Sequence, residues 1–211
     1  MAPVDFLFDG LETARCTVVL AHGAGGPMDS AFLNDFARGL ASAGLRVARF
    51  EFPYMRARRT AGKSGAPDRE PVLRAAWHEA ISSLGGGGEL VIGGKSLGGR
   101  MASLVADEAA VAGLVCLGYP FHPPGQPERL RTKHLAALHT PALILQGTRD
   151  PFGTPADVAG YELSGSIRVE WIEDGDHSWK PRARSGRTLE QNLQEGVVRA
   201  VEFARKVVPG E

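Results

Sequence analysis

Three residues that can cooperate in nucleophilic chemistry follow one another along the chain, Ser96, then Asp150, then His177. A serine hydroxyl is a poor nucleophile until a base takes its proton, and the usual base is a histidine oriented by a carboxylate. Such a set suits acyl transfer to serine. Ser96 lies in Gly94-Lys95-Ser96-Leu97-Gly98, which has the G-x-S-x-G form of a sharp strand-to-helix turn that lifts a serine clear of the backbone. The chain contains 27 glycines, so the pattern alone carries little and its context decides. Before it, Glu89-Leu90-Val91-Ile92 reads as a buried strand. After it, Met101, Leu104 and Val105 fall at helical spacing.

The partners must also follow strand ends, because only those loops converge on the serine. Asp150, in Gln146-Gly147-Thr148-Arg149-Asp150-Pro151-Phe152, comes just past an apolar run. His177, in Glu173-Asp174-Gly175-Asp176-His177-Ser178-Trp179, follows the last such run. The competing readings are a turn aspartate before proline and a solvated loop histidine. Asp157 falls in an expected helix, and Asp174 and Asp176 read as loop formers. His22 and His78 precede the serine, and His134 and His139 lie between it and Asp150. Acyl transfer also needs N–H donors for the negative oxygen of its transition state. One is the backbone N–H of Leu97. The glycine-rich His22-Gly23-Ala24-Gly25-Gly26 offers Ala24 N–H as the second, with His22 bracing the loop; the alternative is a plain turn.

Three further residues are candidate substrate contacts. Lys95 precedes the nucleophile, and its ammonium either favours negative charge near the site or points to solvent or a carboxylate. His122 lies in the Pro-rich stretch 119–127, which either lines the pocket or is a stiff connector. Trp179 either walls an acyl pocket or packs in the core. Arg56, Arg58, Arg59 and Lys63 read as a solvated loop, with an anion-receiving role as the alternative. Arg182, Arg184 and Arg187 present the same choice. Gly94-Lys95-Ser96 is not a phosphate-binding P-loop: the glycine required five positions earlier is Glu89, inside the strand. Gly62-Lys63-Ser64 fails the same test at Ala57.

The elements that position these residues alternate. Strands are predicted over 15–21, 45–50, 89–92, 113–117, 142–146 and 167–172, and helices over 31–43, 72–84 and 189–207, with one more after Ser96. Phe6-Leu7-Phe8 offers an edge strand. Alternation of this kind implies an α/β fold, a mostly parallel central sheet with helices on both faces. The length of 211 residues suits one domain, 1–211. Zero formal net charge argues against an overall electrostatic drive toward nucleic acid or an anionic membrane. No apolar run spans a bilayer, Met1 to Gly10 carries Asp5 and Asp9 without a positive charge, and Cys16 and Cys116 read as reduced core thiols. A cytoplasmic setting is expected.

Several segments carry a resemblance: 22–30, 49–55, 93–101, 118–125, 145–152 and 174–177, spanning nearly the whole chain. Through them the chain resembles a small bacterial α/β-hydrolase family related to dienelactone-hydrolase-like proteins, which includes the hydrolase-like domain of an NSL chromatin-complex subunit and testis-expressed homologues. The resemblance implies the α/β-hydrolase fold and a Ser96–Asp150–His177 triad; at 211 residues the chain is short for that fold, so no large lid domain is expected. The expected function is a serine hydrolase acting on a small-molecule ester, lactone or thioester through an acyl-enzyme, with no metal and no cofactor. The alternative is a catalytically weak or silent hydrolase fold used as an interaction scaffold.

Overall fold

The computed structural model describes residues 4–62 and 65–208. Lys63 and Ser64, and with them the Gly62-Lys63-Ser64 motif and part of the basic stretch, lie outside the described residues. The framework is one seven-stranded sheet in the order β1-β3-β2-β4-β5-β6-β7. Its strands are β1 (Phe6–Asp9), β2 (Thr17–Ala21), β3 (Arg46–Phe50), β4 (Leu90–Lys95), β5 (Gly113–Leu117), β6 (Ala142–Gly147) and β7 (Ile167–Ile172). β1 pairs antiparallel with β3, and every other pairing is parallel. The expected edge strand is thus present at Phe6–Asp9.

The inner strands β2, β5 and β6 read as apolar runs because both sheet faces are covered there. Within β2, Val19 and Ala21 enter one core, while Val18 and Leu20 enter the other, as the two-residue side-chain period requires. On the first face pack α3 (Glu70–Ser83) through Leu73 and Trp77, and α4 (Leu97–Ser103) through Met101. On the second pack α1 (Ala31–Ser42) through Leu33, Phe36 and Leu40, and α6 (Leu189–Val207) through Val197, Val201 and Phe203. A capping box at Thr188 and Gln191 starts α6.

Two elements depart from expectation. The basic stretch that read as a loop is a helix, α2 (Pro53–Ala61). It starts with a proline in the first turn and stops at Gly62, whose left-handed φ of 63° lets Gly62 N–H bond back to Arg58 O. Its Tyr54 and Met55 join the first core. The helix after Ser96 is shorter than the apolar spacing suggests. Beyond Ser103 the chain tightens into i→i−3 bonds, Leu104 N–H to Met101 O and Val105 N–H to Ala102 O, although Val105 is fully buried. A last short helix, α5 (Pro155–Val158), contains Asp157 in a capping box with Thr154. No helix among the described residues is long and apolar enough to cross a membrane. Cys16 and Cys116 are buried free thiols, and burial pushes the Cys16 pKa up to about 11.

Candidate active site

Ser96 stands between the end of β4 and the first residue of α4 with φ 49° and ψ −110°, a backbone conformation that side-chain-bearing residues rarely adopt. Glycine on either side permits it. A Cβ on Gly94 would lie 2.0 Å from Ala21 O, and one on Gly98 would lie 2.3 Å from the same atom. The turn is therefore wedged against the end of β2, and Ser96 N–H is tied to Leu117 O at the end of β5.

His177 comes from the loop after β7. Its Nε2 is 2.9 Å from Ser96 Oγ, and its Nδ1 is 2.8 Å from Asp150 Oδ2. A carboxylate only accepts, so Nδ1 carries the proton, and Nε2 is left to accept from the Ser96 hydroxyl. Asp150 is fully buried and satisfied on both oxygens. Oδ1 accepts from Phe152 N–H at 2.9 Å, and Oδ2 accepts also from Gln146 Nε2 at 2.9 Å. Gln146 is itself fixed, accepting from Tyr119 N–H at 2.7 Å. The Phe152 ring lies 4.2 Å from the His177 ring, centroid to centroid.

The loop after β2 forms the facing wall. His22 is fully buried, and burial holds its pKa below the ordinary histidine value. Its Nδ1 contacts Gly23 O at 2.7 Å, and its Nε2 accepts from Phe52 N–H at 3.1 Å, so it joins this loop to the end of β3. The loop is also held from α2. Tyr54 donates to Ala24 O at 3.2 Å, and Arg58 donates to the same oxygen at 3.3 Å. Arg59 pairs with the buried Glu51 and with Asp29. Arg58 and Arg59 therefore anchor the loop. Neither Leu97 N–H nor Ala24 N–H has an acceptor among the described residues. The cleft between these walls has a volume of about 380 Å³ and is lined by Ala24, Phe32, Lys95, Ser96, Phe152 and His177. A larger surface groove of about 700 Å³ runs along α6, but its lining of Glu190, Gln194, Val198 and neighbours includes neither serine nor histidine.

Two of the three proposed substrate contacts lie away from this cleft. Trp179 is fully buried in the second core, its ring 5.0 Å from that of Phe32 and 5.9 Å from that of Phe36. Its left-handed φ of 65° reverses the chain two residues after His177 and turns the indole inward. His122 is buried within the Pro-rich stretch, with Nδ1 2.9 Å from Pro123 O, and does not line the cleft. Lys95 does line it, but its Nζ donates to His177 O at 2.5 Å. Arg182 pairs with Asp174, and Arg187 with Glu195. Asp176 Oδ1 accepts from Ser178 and Lys180 N–H, the loop-forming role expected of it. Sequence reasoning missed Gln146 and Phe152, although both lie in the segment that named Asp150.

Comparison with known proteins agrees with this architecture. A family model described as "Alpha/beta hydrolase domain" matches residues 14–205. Among solved structures, the chain is similar to a dienelactone hydrolase from Anabaena variabilis (TM-score 0.72, 20% identity, covering 95% of this chain and 90% of that one). It is similar to an alpha-beta serine hydrolase homologue from Coxiella burnetii (TM-score 0.67, 22% identity, covering 94% and 91%). A third is an α/β serine hydrolase without lid from Xanthomonas campestris (TM-score 0.63, 20% identity, covering 93% and 89%). At such identities the likeness carries the fold.

Proposed function

This chain belongs to the alpha/beta hydrolase domain family, and we propose that it is a serine hydrolase of small esters, lactones or thioesters. The observation that carries the reading is the hydrogen-bonded run Ser96–His177–Asp150 at the mouth of a cleft. In this mechanism Ser96 Oγ attacks the substrate carbonyl carbon while His177 Nε2 takes the hydroxyl proton. Asp150 holds the ring in the productive tautomer and stabilises the imidazolium. The developing oxyanion is received by Leu97 N–H and Ala24 N–H, neither of which has a backbone acceptor among the described residues. His177 returns the proton to the leaving group, and a water activated by the same ring releases the acyl group.

The cleft volume of about 380 Å³ supports a small substrate, with Phe32 and Phe152 giving it apolar walls. A cytoplasmic setting belongs to the proposal and is supported by the two free thiols. A scaffold would have no use for a hydroxyl, an imidazole and a carboxylate linked in this order. The test is labelling by a fluorophosphonate probe together with turnover of short-chain p-nitrophenyl esters. The wild type is expected to label and turn over, and Ser96→Ala to do neither. A wild-type protein that resists the probe and leaves the esters intact defeats the reading.

A further inference from the structure

We infer that Lys95 is a positioning residue, which sets the place of the His177 imidazole relative to Ser96 through a hydrogen bond from its ammonium to the His177 main chain. The kinetic consequence rests on the serine-hydrolase reading; the geometric claim does not.

Lys95 is the last residue of β4 and is only 9% exposed. A lysine ordinarily keeps its ammonium in water, and burying one is costly unless the charge is compensated. Each element around Nζ contributes to that compensation. From the loop after β7, His177 O accepts at 2.5 Å, and the Asp176 carboxylate adds negative charge. From the loop after β6, the buried Asp150 carboxylate does the same. From α1, the Phe32 ring presents its π-system with its centroid 5.6 Å from Nζ. From the end of β5, Gly118 borders both groups: a Cβ there would lie 3.0 Å from Lys95 Nζ and 3.3 Å from His177 Nδ1, so the imidazole also faces this pocket. Burial outweighs the two carboxylates and brings the Nζ pKa down to about 8.

The need for a strut follows from the topology. Ser96 is fixed by the sheet at the end of β4, whereas His177 hangs from β7, three strands away. Among the described residues, only two hydrogen bonds join residues 93–97 to residues 176–178. One is the Ser96–His177 bond itself, and the other is Lys95 Nζ to His177 O. Asp150 and Phe152 hold the ring from the loop after β6; without the second bond, its only direct hydrogen bond to the Ser96 segment among the described residues is the contact that has to break and re-form during turnover. Misplacement of a reacting group by about 1 Å costs on the order of 100-fold in rate. A charged donor bonds about twice as strongly as a neutral one, so the strut weakens when Lys95 loses its proton.

The experiment compares wild type with Lys95→Met, which keeps the stem and removes the charge, and with Lys95→Arg. Lys95→Gln serves if the Met variant does not fold. Initial rates on p-nitrophenyl acetate are followed from pH 6 to 10 alongside an NMR titration of the His177 ring nitrogens. In the wild type, kcat is expected to fall several-fold above pH 8, and the His177 signals to show an inflection there. Lys95→Met should lower kcat by about tenfold at pH 7.5 with KM within about twofold, and both pH 8 features should vanish. Lys95→Arg should recover part of kcat and lose the decline, because its charge persists. Unfolding does not mimic the effect. The folded pKa of about 8 lies below the unfolded value of about 10.4, so the unfolded state binds more protons between them. The Lys95 contribution to stability therefore rises with pH in that window. A wild-type kcat and an unchanged alkaline decline in Lys95→Met would overturn the inference. If the wild type turns over nothing, the NMR titration decides alone: an inflection near pH 8 that Lys95→Met removes sustains the strut while the hydrolase reading falls, and its absence ends both.

Discussion

Among the described residues there are two hydrogen-bonded serine–histidine pairs of nearly equal length, one at each end of α4. Ser96 Oγ lies 2.9 Å from His177 Nε2, and Ser103 Oγ lies 2.8 Å from His134 Nε2. They are opposite in kind. Ser103 already gives its proton to Arg100 O at 2.7 Å, so His134 Nε2 must donate to the serine. The Ser96 hydroxyl faces an Nε2 that is free to accept because Asp150 holds the proton on Nδ1. Burial, aided by the nearby Arg100 charge, brings the His134 pKa down to about 4. No carboxylate bonds to the His134 ring among the described residues. Separation alone therefore does not distinguish a serine that donates to histidine from one that accepts from it. The direction of the hydroxyl proton does, and a third group two bonds away sets it.

The sharpest way to break this contrast is to make the first pair resemble the second. Asp150→Asn releases the Nδ1 tautomer, and we expect kcat on a short-chain ester to fall about 10⁴-fold. A decrease under tenfold would mean that the carboxylate is not what separates the pairs. Next in size is the elbow. Gly94→Ala drives a methyl to 2.0 Å from Ala21 O, and a loss of 3 kcal/mol or more, roughly, is expected by urea denaturation; near-wild-type stability would show that the wedge can relax.

The second pair should reveal itself through stability and not through rate. The folded His134 pKa of about 4 lies below the unfolded value of about 6.5, so the unfolded state binds more protons between them. Its contribution to stability is complete above about pH 6.5 and is lost as pH falls toward 4. His134→Gln should flatten the decline in melting temperature across that window; an identical decline would place the acid sensitivity elsewhere, His22 being the next buried candidate. The smallest effect is expected for Ser103→Ala, which should cost about 1 kcal/mol of stability. Its ester turnover should stay within about twofold of wild type, with fluorophosphonate still confined to Ser96. Labelling of Ser103 would erase the distinction between the pairs.

Most of the framework was legible because fully buried parallel strands announce themselves as apolar runs. The bounds read for β7 and α6 coincide with those observed. Helix α2 was obscured by Arg56, Arg58 and Arg59, whose charge suggested a solvated loop. Its signals were nonetheless present in Pro53 at the start and Gly62 at the end. Ser96, Asp150 and His177 stood out because each follows a strand, and parallel strands deliver their ends to one edge of the sheet. What residue type could not reveal was side-chain direction. Trp179 comes two residues after His177, yet its indole packs in the core against Phe32 and Phe36. Lys95 reads as a candidate substrate contact or a solvent-facing charge, yet its ammonium bonds to the main chain of His177. Such outcomes depend on loops that pack against one another across long stretches of chain, and no local pattern encodes them.

The backbone at Ser96 also bears on how this chain could change over generations. Holding a residue with a side chain at φ 49° and ψ −110° costs on the order of 1–3 kcal/mol, and glycine would adopt the same turn without that penalty. Selection for folding alone therefore favours glycine at position 96, and only a use for the hydroxyl opposes it. A descendant that ceased to need the hydroxyl would be released from that opposition. Drift to glycine at this one position would then be an early mark of the loss, arriving while the histidine and aspartate, which carry no such strain, still stood in place.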